Sequence, residues 1–297
     1  MSYLDLYVNT GIFKFGEYGY GREANIYLLG VPFDSTSSYR GGARFAPSRI
    51  REASRSLETY SWRTGLDAEK LQVCDLGDLE TTYDAELMLE RLSKVVGEIT
   101  ATNKKLLIIG GEHTVTLGGI KGLNSLEAVK LLIFDAHMDL RDEYPYGQKV
   151  SHATVTRRIA ELIGPENIAL IGVRAVSKEE ISYAEENNVF YITARQVAER
   201  GSIAISQLLR NFIGGQPVYV SLDMDVIDPA YAPGVQTPEP EGLTPTCLID
   251  IFSSIIGENT AVIDIVEHTP VYDPGGITSI LAAKILYEAL CYISRRA

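Results

Sequence analysis

Eight short apolar runs, each followed by a longer amphipathic or polar stretch, restrict this chain to a small set of architectures. The runs are NIYLLG (25–30), QVCDLG (72–77), KLLIIG (105–110), KLLIFDAH (130–137), NIALIGV (167–173), VFYIT (189–193), VYVSLDMD (218–225) and AVIDIVE (261–267). Most are continuously apolar, as strands covered on both faces are, and do not alternate as half-exposed strands do. Segments with helical spacing lie between them, at 47–58, 84–99, 206–213 and 276–293. Pro47 in a first turn and Asp84 ahead of a periodic run mark helix starts. Strands alternating with helices predict a mostly parallel sheet with helices on both faces. No repeat, low-complexity tract or linker interrupts the sequence, so 1–297 is read as a single domain whose longest loop candidate is 229–242.

Composition narrows the function. With 45% hydrophobic residues, the chain lies well away from disordered composition and can bury a large core. Lys and Arg total 27 against 39 Asp and Glu, a net charge of -12. That balance opposes a nucleic-acid partner and favours a cationic one. No run reaches the roughly 18 consecutive apolar residues of a membrane span, and residues 1–14 lack a basic start followed by an apolar stretch. A cytoplasmic protein with no membrane partner is expected. Cys74, Cys247 and Cys291 are scattered and lack C-x-x-C spacing, so they are read as buried free thiols.

Residues capable of chemistry gather where the apolar runs end. His113 follows the third run; Asp135, His137 and Asp139 end the fourth; Asp223 and Asp225 close the seventh; Glu267 closes the eighth. In an open parallel sheet, these carboxyl ends share one edge, and ligands bind in the crevice beyond it. Alternation along a strand would put Asp135, His137 and Asp139 in one row, and Asp223 and Asp225 in another, about 6–7 Å between neighbours. Taken singly, each Asp reads as a turn or cap residue and each His as a hydrogen-bonded structural one. Three of the four histidines, His113, His137 and His152, nevertheless fall at this edge or in the loop beyond it. Four clustered carboxylates would repel one another and resist ionisation without a cation. Asp135, Asp139, Asp223 and Asp225 with two neutral imidazoles balance two divalent ions. Oxygen and imidazole donors without thiolate suit Mn²⁺, with Zn²⁺, Co²⁺ or Mg²⁺ as alternatives. Two such ions about 3.5–4 Å apart can activate a shared water for hydrolysis.

The motifs GGEHT, FDAHMD, SHATVTRR, SLDMDVIDPAYAPG and DIVEHTPVYD, in this order, resemble those of the ureohydrolases, the arginase and agmatinase family, and the pattern is most similar to agmatinases. The likeness runs from residue 30 to the C-terminal helix. It implies a three-layer α/β/α sandwich around an eight-stranded mainly parallel sheet, in agreement with the strand count. It also implies that His113 and Asp139 hold one Mn²⁺ and His137 and Asp225 the other, with Asp135 and Asp223 bridging. His152 matches the proton-transfer histidine and Glu267 the carboxylate that grips the guanidinium. A homo-oligomer, trimer or hexamer, is implied as well.

The residues make chemical sense in those roles. A guanidinium carbon is a poor electrophile, so its hydrolysis needs a strong nucleophile and a fixed orientation. A carboxylate at Glu267 facing a planar fork of N–H donors supplies the orientation. His152, on a polar loop, is suited to protonating the leaving amine. Without the motif, His152 reads as a cap or surface histidine and Glu267 as a surface ion pair; His268 is read as structural. Specificity turns on LRDEYPYGQKV (140–150). Arg141 stands where an arginase-type Asn is expected and is read as paired with Asp139, Asp142 and Glu143. Asp142 and Glu143 suit a substrate with a distal amine, or are solvated loop charges. The loop 232–244 departs from the family's G-T-G-T-P and E-P-G-G-L forms at Val235, Gln236 and Glu241, around the expected substrate mouth. The expected substrate is therefore a small cationic guanidine, agmatine, giving urea and putrescine. Arginine, guanidinobutyrate, aminopropylagmatine and formiminoglutamate remain alternatives. A one-zinc deacetylase of the same fold, or a non-enzymatic metal binder, are the remaining readings.

Overall fold

Every one of the eight apolar runs forms a parallel strand in the computed structural model, which describes residues 2–10, 14–18, 21–126 and 128–295. The strands are β1 (Val8–Asn9), β2 (Ile26–Gly30), β3 (Val73–Leu79), β4 (Lys105–Ile109), β5 (Lys130–Phe134), β6 (Ile168–Val173), β7 (Phe190–Thr193), β8 (Val218–Asp223) and β9 (Thr260–Val266). They build one sheet in the order β1-β3-β2-β4-β9-β8-β5-β6-β7. The sheet thus has nine strands where eight were expected. The addition, β1, pairs antiparallel with the edge of β3 over two residues, too few to leave a periodic signal.

Helices cover both faces. They are α1 (Tyr3–Tyr7), α2 (Ala46–Ser54), α3 (Ala85–Thr100), α4 (Thr114–Lys121), α5 (Val155–Ile163), α6 (Lys178–Glu186), α7 (Ala194–Ile213), α8 (Pro245–Ile255) and α9 (Ile277–Ser294). Strand alternation sorts the core into two layers. On β4, Leu107 and Ile109 belong to the core layer that also takes residues of α2, α7, α8 and α9, whereas Leu106 and Ile108 belong to the layer with α1, α3, α4, α5 and α6. All four are fully buried, and truncating any one to Ala would cost about 2–5 kcal/mol. The result is a three-layer α/β/α sandwich.

Helix starts follow the local chemistry. Pro47 lies in the first turn of α2, and the Asp84 side chain accepts the Leu87 N–H at the head of α3. The helix expected over 206–213 is the second half of α7. Gly201, at φ 76°, breaks that helix, and the preceding half is polar, with Arg195 paired to Glu199, so it left no apolar stripe. α9 is long and apolar enough to cross a membrane by composition, yet 72% of it is buried inside the protein, where it packs as a core helix. Under β3, the buried Arg51 donates to both oxygens of Asp75, at 2.8 and 3.0 Å, and to Asp78, tying α2 to the sheet. Cys74 and Cys291 are buried thiols, while Cys247 is half-buried.

Candidate metal centre

The four strands β4, β9, β8 and β5 are consecutive neighbours at the middle of the sheet, and their carboxyl ends converge. β4 and β9 stay zipped beyond their last ladder residues: Gly110 N–H donates to Ile265 O at 2.8 Å and Glu267 N–H to Gly111 O at 2.7 Å. Only glycine fits at 111, because a Cβ there would lie 1.8 Å from the Phe33 carbonyl oxygen. This close approach delivers His113 to the head of α4 and Glu267, at φ 63°, to the same spot.

The donors on β5 and β8 are carried differently from the expected strand rows. β5 ends at Phe134, so Asp135, His137 and Asp139 occupy an irregular turn; Asp139 has φ 52°. Asp223 is the last residue of β8, and Asp225 lies in a 3-10 turn, Met224–Val226. Hydrogen bonds within the turns do the aiming that alternation was expected to do. Asp135 Oδ1 accepts the His137 N–H at 2.6 Å, Asp223 Oδ1 accepts the Asp225 N–H at 2.8 Å, and Asp225 Oδ1 accepts the Ala136 N–H at 3.1 Å. Asp135 and Asp223 thereby serve as turn-forming Asx residues with one oxygen and turn the other toward the cluster, while Asp225 ties its turn to the end of β5. The turn-forming reading of Asp135 and Asp223 therefore does not exclude the ligand reading.

The second oxygens meet the imidazoles. His113 Nδ1 lies 3.2 Å from Asp135 Oδ2, 3.1 Å from Asp139 Oδ2 and 3.3 Å from Asp223 Oδ2. His137 Nδ1 lies 3.4 Å from Asp135 Oδ1 and 3.0 Å from Asp225 Oδ2. Two overlapping groups could therefore hold metal ions, His113/Asp135/Asp223 and Asp135/His137/Asp225, with Asp135 common to both. His113, Asp135, Asp223 and Asp225 are all buried.

Such a cluster is electrostatically frustrated as a bare protein. Burial, then Asp225 and Asp135, push Asp223 well above the usual carboxylate range; burial and Asp135 push Asp139 up to about 7. Glu267 is raised by burial and by Glu112. Against the downward pull of burial, the carboxylates hold both His113 and His137 far above an ordinary imidazole. A cation held among these groups would relieve the same repulsion.

Beyond the cluster opens a cavity of about 270 Å³ whose wall includes His152, Glu267, Ser38, Tyr144, Thr237 and Glu239. Glu267 Oε1 accepts the His113 N–H at 2.7 Å, while its Oε2 is buried without a partner. His152 is not on a solvated loop: it starts a buried 3-10 turn, His152–Thr154, held by Ser151 and Thr154. Its Nε2 meets Ser38 Oγ at 3.1 Å, and burial lowers its pKa to about 4, keeping the ring neutral. The fully buried Glu112 anchors the segment carrying Ser38, accepting from Thr36 N–H at 3.0 Å and Ser37 Oγ at 3.1 Å. Ser38 and Glu112 escaped the sequence reading. The strand-end rule applied to β2, whose carboxyl end leads into this hydroxyl-rich segment, would have flagged it. His268 is structural, with Nδ1 on Gly234 O at 2.9 Å and Nε2 on Ser279 Oγ at 2.8 Å.

The loop after Asp139 corrects the expected pairing of Arg141. Its guanidinium lies 3.8 Å from Glu180 of α6 and stacks over the Tyr144 ring at 4.8 Å, rather than pairing with Asp139, Asp142 and Glu143. Asp142 is instead engaged by Lys149 and by Arg158 at 2.9 Å, which hold its carboxyl down to about 2. Glu143 is exposed. Neither lines the cavity; Glu180 and Glu239 do. Val235 and Gln236 are buried and lie outside the cavity wall, whereas their neighbour Thr237 lines it and donates to Asp225 Oδ2 at 3.2 Å.

A sequence model described as the arginase family matches residues 24–292. The chain is 42% identical over 268 residues to an uncharacterised protein of Methanothermus fervidus, covering 89% of this chain and 90% of the relative. It is 39% identical over 272 residues to an agmatinase of Bacillus subtilis, covering 90% and 91%. Among solved structures, the agmatine ureohydrolase of Thermoplasma volcanium matches with a TM-score of 0.87 at 38% identity over 96% of each chain.

Proposed function

Because this chain belongs to the arginase family and is a metal-dependent ureohydrolase, we propose that it hydrolyses agmatine to urea and putrescine with two Mn²⁺ bound per chain. The observation that carries the metal reading is a pair of orphaned atoms: His113 Nδ1 and Asp135 Oδ2 are buried, 3.2 Å apart, and without a hydrogen-bond partner. Polar atoms left so in the interior carry a penalty of about 1–3 kcal/mol each, which a bound cation would remove. The donor set fits. His113 and Asp139 would hold one ion and His137 and Asp225 the other, with Asp135 and Asp223 available to both. The six side chains supply four negative charges, and hard oxygen with imidazole donors suit Mn²⁺. When bound, two divalent ions polarise the reacting water and lower its pKa toward neutrality.

The remaining steps belong to the chain's own residues. Glu267 receives the substrate's N–H groups on its free oxygen and holds the guanidinium carbon against the cluster. Water adds to that carbon and gives up a proton, the bond to the alkyl nitrogen breaks, and His152, neutral at rest and steadied by Ser38, takes up that proton and delivers it to the departing amine. Putrescine leaves as the amine and urea retains the carbon. For the far end of the substrate, Glu239 is half-buried in the cavity wall and its carboxylate has no partner among the described residues. An ammonium suits it, as does the net charge of -12.

One observation favours a second reading, a guanidino acid such as guanidinobutyrate or arginine: Arg141 also lines the cavity, and its ion pair with Glu180 is long. The deciding experiment measures product release by the Mn²⁺-loaded protein from agmatine, arginine, guanidinobutyrate, aminopropylagmatine and formiminoglutamate. Agmatine should give the highest kcat/KM. A higher value for either guanidino acid transfers the assignment to that class.

A further inference from the structure

Asp264 belongs neither to the six-residue cluster nor to the cavity wall, yet it is a fully buried carboxylate in the middle of the sheet. Three hydroxyls converge on it. Ser221 Oγ donates to Oδ1 at 2.6 Å, Tyr219 OH to Oδ2 at 2.7 Å and Thr116 Oγ1 to Oδ2 at 2.8 Å. Ser221 and Asp264 are direct cross-strand partners on β8 and β9, so the sheet register itself sets their side chains together on one face. Thr116 comes from the first turn of α4, the helix that His113 begins.

Ser221 also meets His113 Nε2 at 3.1 Å and Thr116 Oγ1 at 3.1 Å, the Thr116 hydrogen being already on Asp264. A hydroxyl carries one hydrogen. With that hydrogen on Asp264, the Ser221 oxygen can only accept from the ring, so Nε2 must be the protonated nitrogen. Nδ1, the atom facing Asp135, Asp139 and Asp223, is then the nitrogen that would give its lone pair to an ion. From this geometry we infer that Asp264 is a positioning residue for the metal centre: acting through Ser221, it fixes the tautomer and orientation of His113 so that Nδ1 presents its lone pair to the ion. The inference rests on reading the cluster as a metal centre. Histidine ligands are commonly held by a partner on the other ring nitrogen, and loss of that partner typically weakens metal binding by about 10–100-fold. Here the partner is a hydroxyl, polarised by a carboxylate one step further away.

The test is a calorimetric titration of the metal-free protein with MnCl₂, comparing wild type, Ser221→Ala, Asp264→Asn and the double variant. Ser221→Ala should weaken one of two sites by about 10–100-fold and leave the other within about threefold. Because Asp264 acts through Ser221, the double variant should bind no more weakly than the weaker of the two single variants. Asp264→Asn risks the fold, since it disturbs three hydroxyls at once. Ser221→Ala does not, because Tyr219 and Thr116 still hold Asp264. A folded Ser221→Ala protein with both affinities unchanged, or with both lowered equally, overturns the inference while leaving the metal centre intact. A wild type that takes up no Mn²⁺ overturns the metal centre and the inference with it.

Discussion

Replacing Glu267 with Gln isolates the step that distinguishes a guanidine hydrolase from a metal-binding protein. Gln has the same shape, and its amide oxygen can keep the 2.7 Å hydrogen bond from the His113 N–H that Glu267 Oε1 accepts. The NH₂ group must then occupy the place of Oε2, the buried oxygen that has no partner in the protein. An acceptor facing a cationic fork of donors becomes a donor facing donors. The variant therefore loses a charge-assisted pair and leaves the guanidinium unpaired in a dry site, a combination that costs about 2–5 kcal/mol. At about 1.4 kcal/mol per decade, kcat/KM should fall by roughly 30- to 4,000-fold. Metal content should not change, because Glu267 is outside the six donors and its link to His113 survives. The assay pairs urea release at saturating Mn²⁺ with elemental analysis of the same preparation. A variant within threefold of wild type would refute the role given to Glu267. One that loses metal would show that the carboxylate holds the cluster, not the substrate.

Asp135→Asn removes a carboxylate common to both groups of donors; fewer than two Mn²⁺ per chain and loss of turnover are expected, and full occupancy with unchanged turnover counts against the bridging assignment. His152→Ala should keep both ions but slow kcat by about 10²–10⁴-fold, with partial recovery in added imidazole, which can enter the space that the buried ring vacates; loss of metal would instead place His152 among the ligands. Glu239→Gln should lower kcat/KM for agmatine by about tenfold or more through loss of a charged partner, while Arg141→Ala should leave agmatine turnover within about threefold. The opposite pattern, with Arg141→Ala abolishing activity on a guanidino acid that wild type prefers, would identify Arg141 as the carboxylate receptor.

What could be read from the sequence was whatever depends on neighbours along the chain. Continuous apolar runs such as KLLII and KLLIF are buried on both faces wherever they sit, so the parallel sheet and its two helical layers followed from periodicity. The choice of Asp and His at run ends was legible for the same reason, since carboxyl ends in a parallel sheet must share an edge. Strand β1, the polar half of α7 and the helices α1, α4, α5, α6 and α8 were not among the segments named from the sequence. The way the donors are aimed was also hidden. β5 stops at Phe134, and Asx hydrogen bonds, rather than strand alternation, turn Asp135 and Asp223 toward His113.

Only the tertiary structure decided what depends on strand order. Four strands distant in sequence, β4, β9, β8 and β5, become neighbours, and that adjacency alone brings Glu267 against His113 and Ser221 against Asp264. It likewise gave Arg141 a partner from α6 in place of the acidic residues beside it in sequence. Local pattern determines which segments form strands and which residue types end them, because both follow from burial and backbone geometry over a few residues. Which ends meet, and which atoms are left without a partner when they do, is set by contacts between residues far apart in the chain.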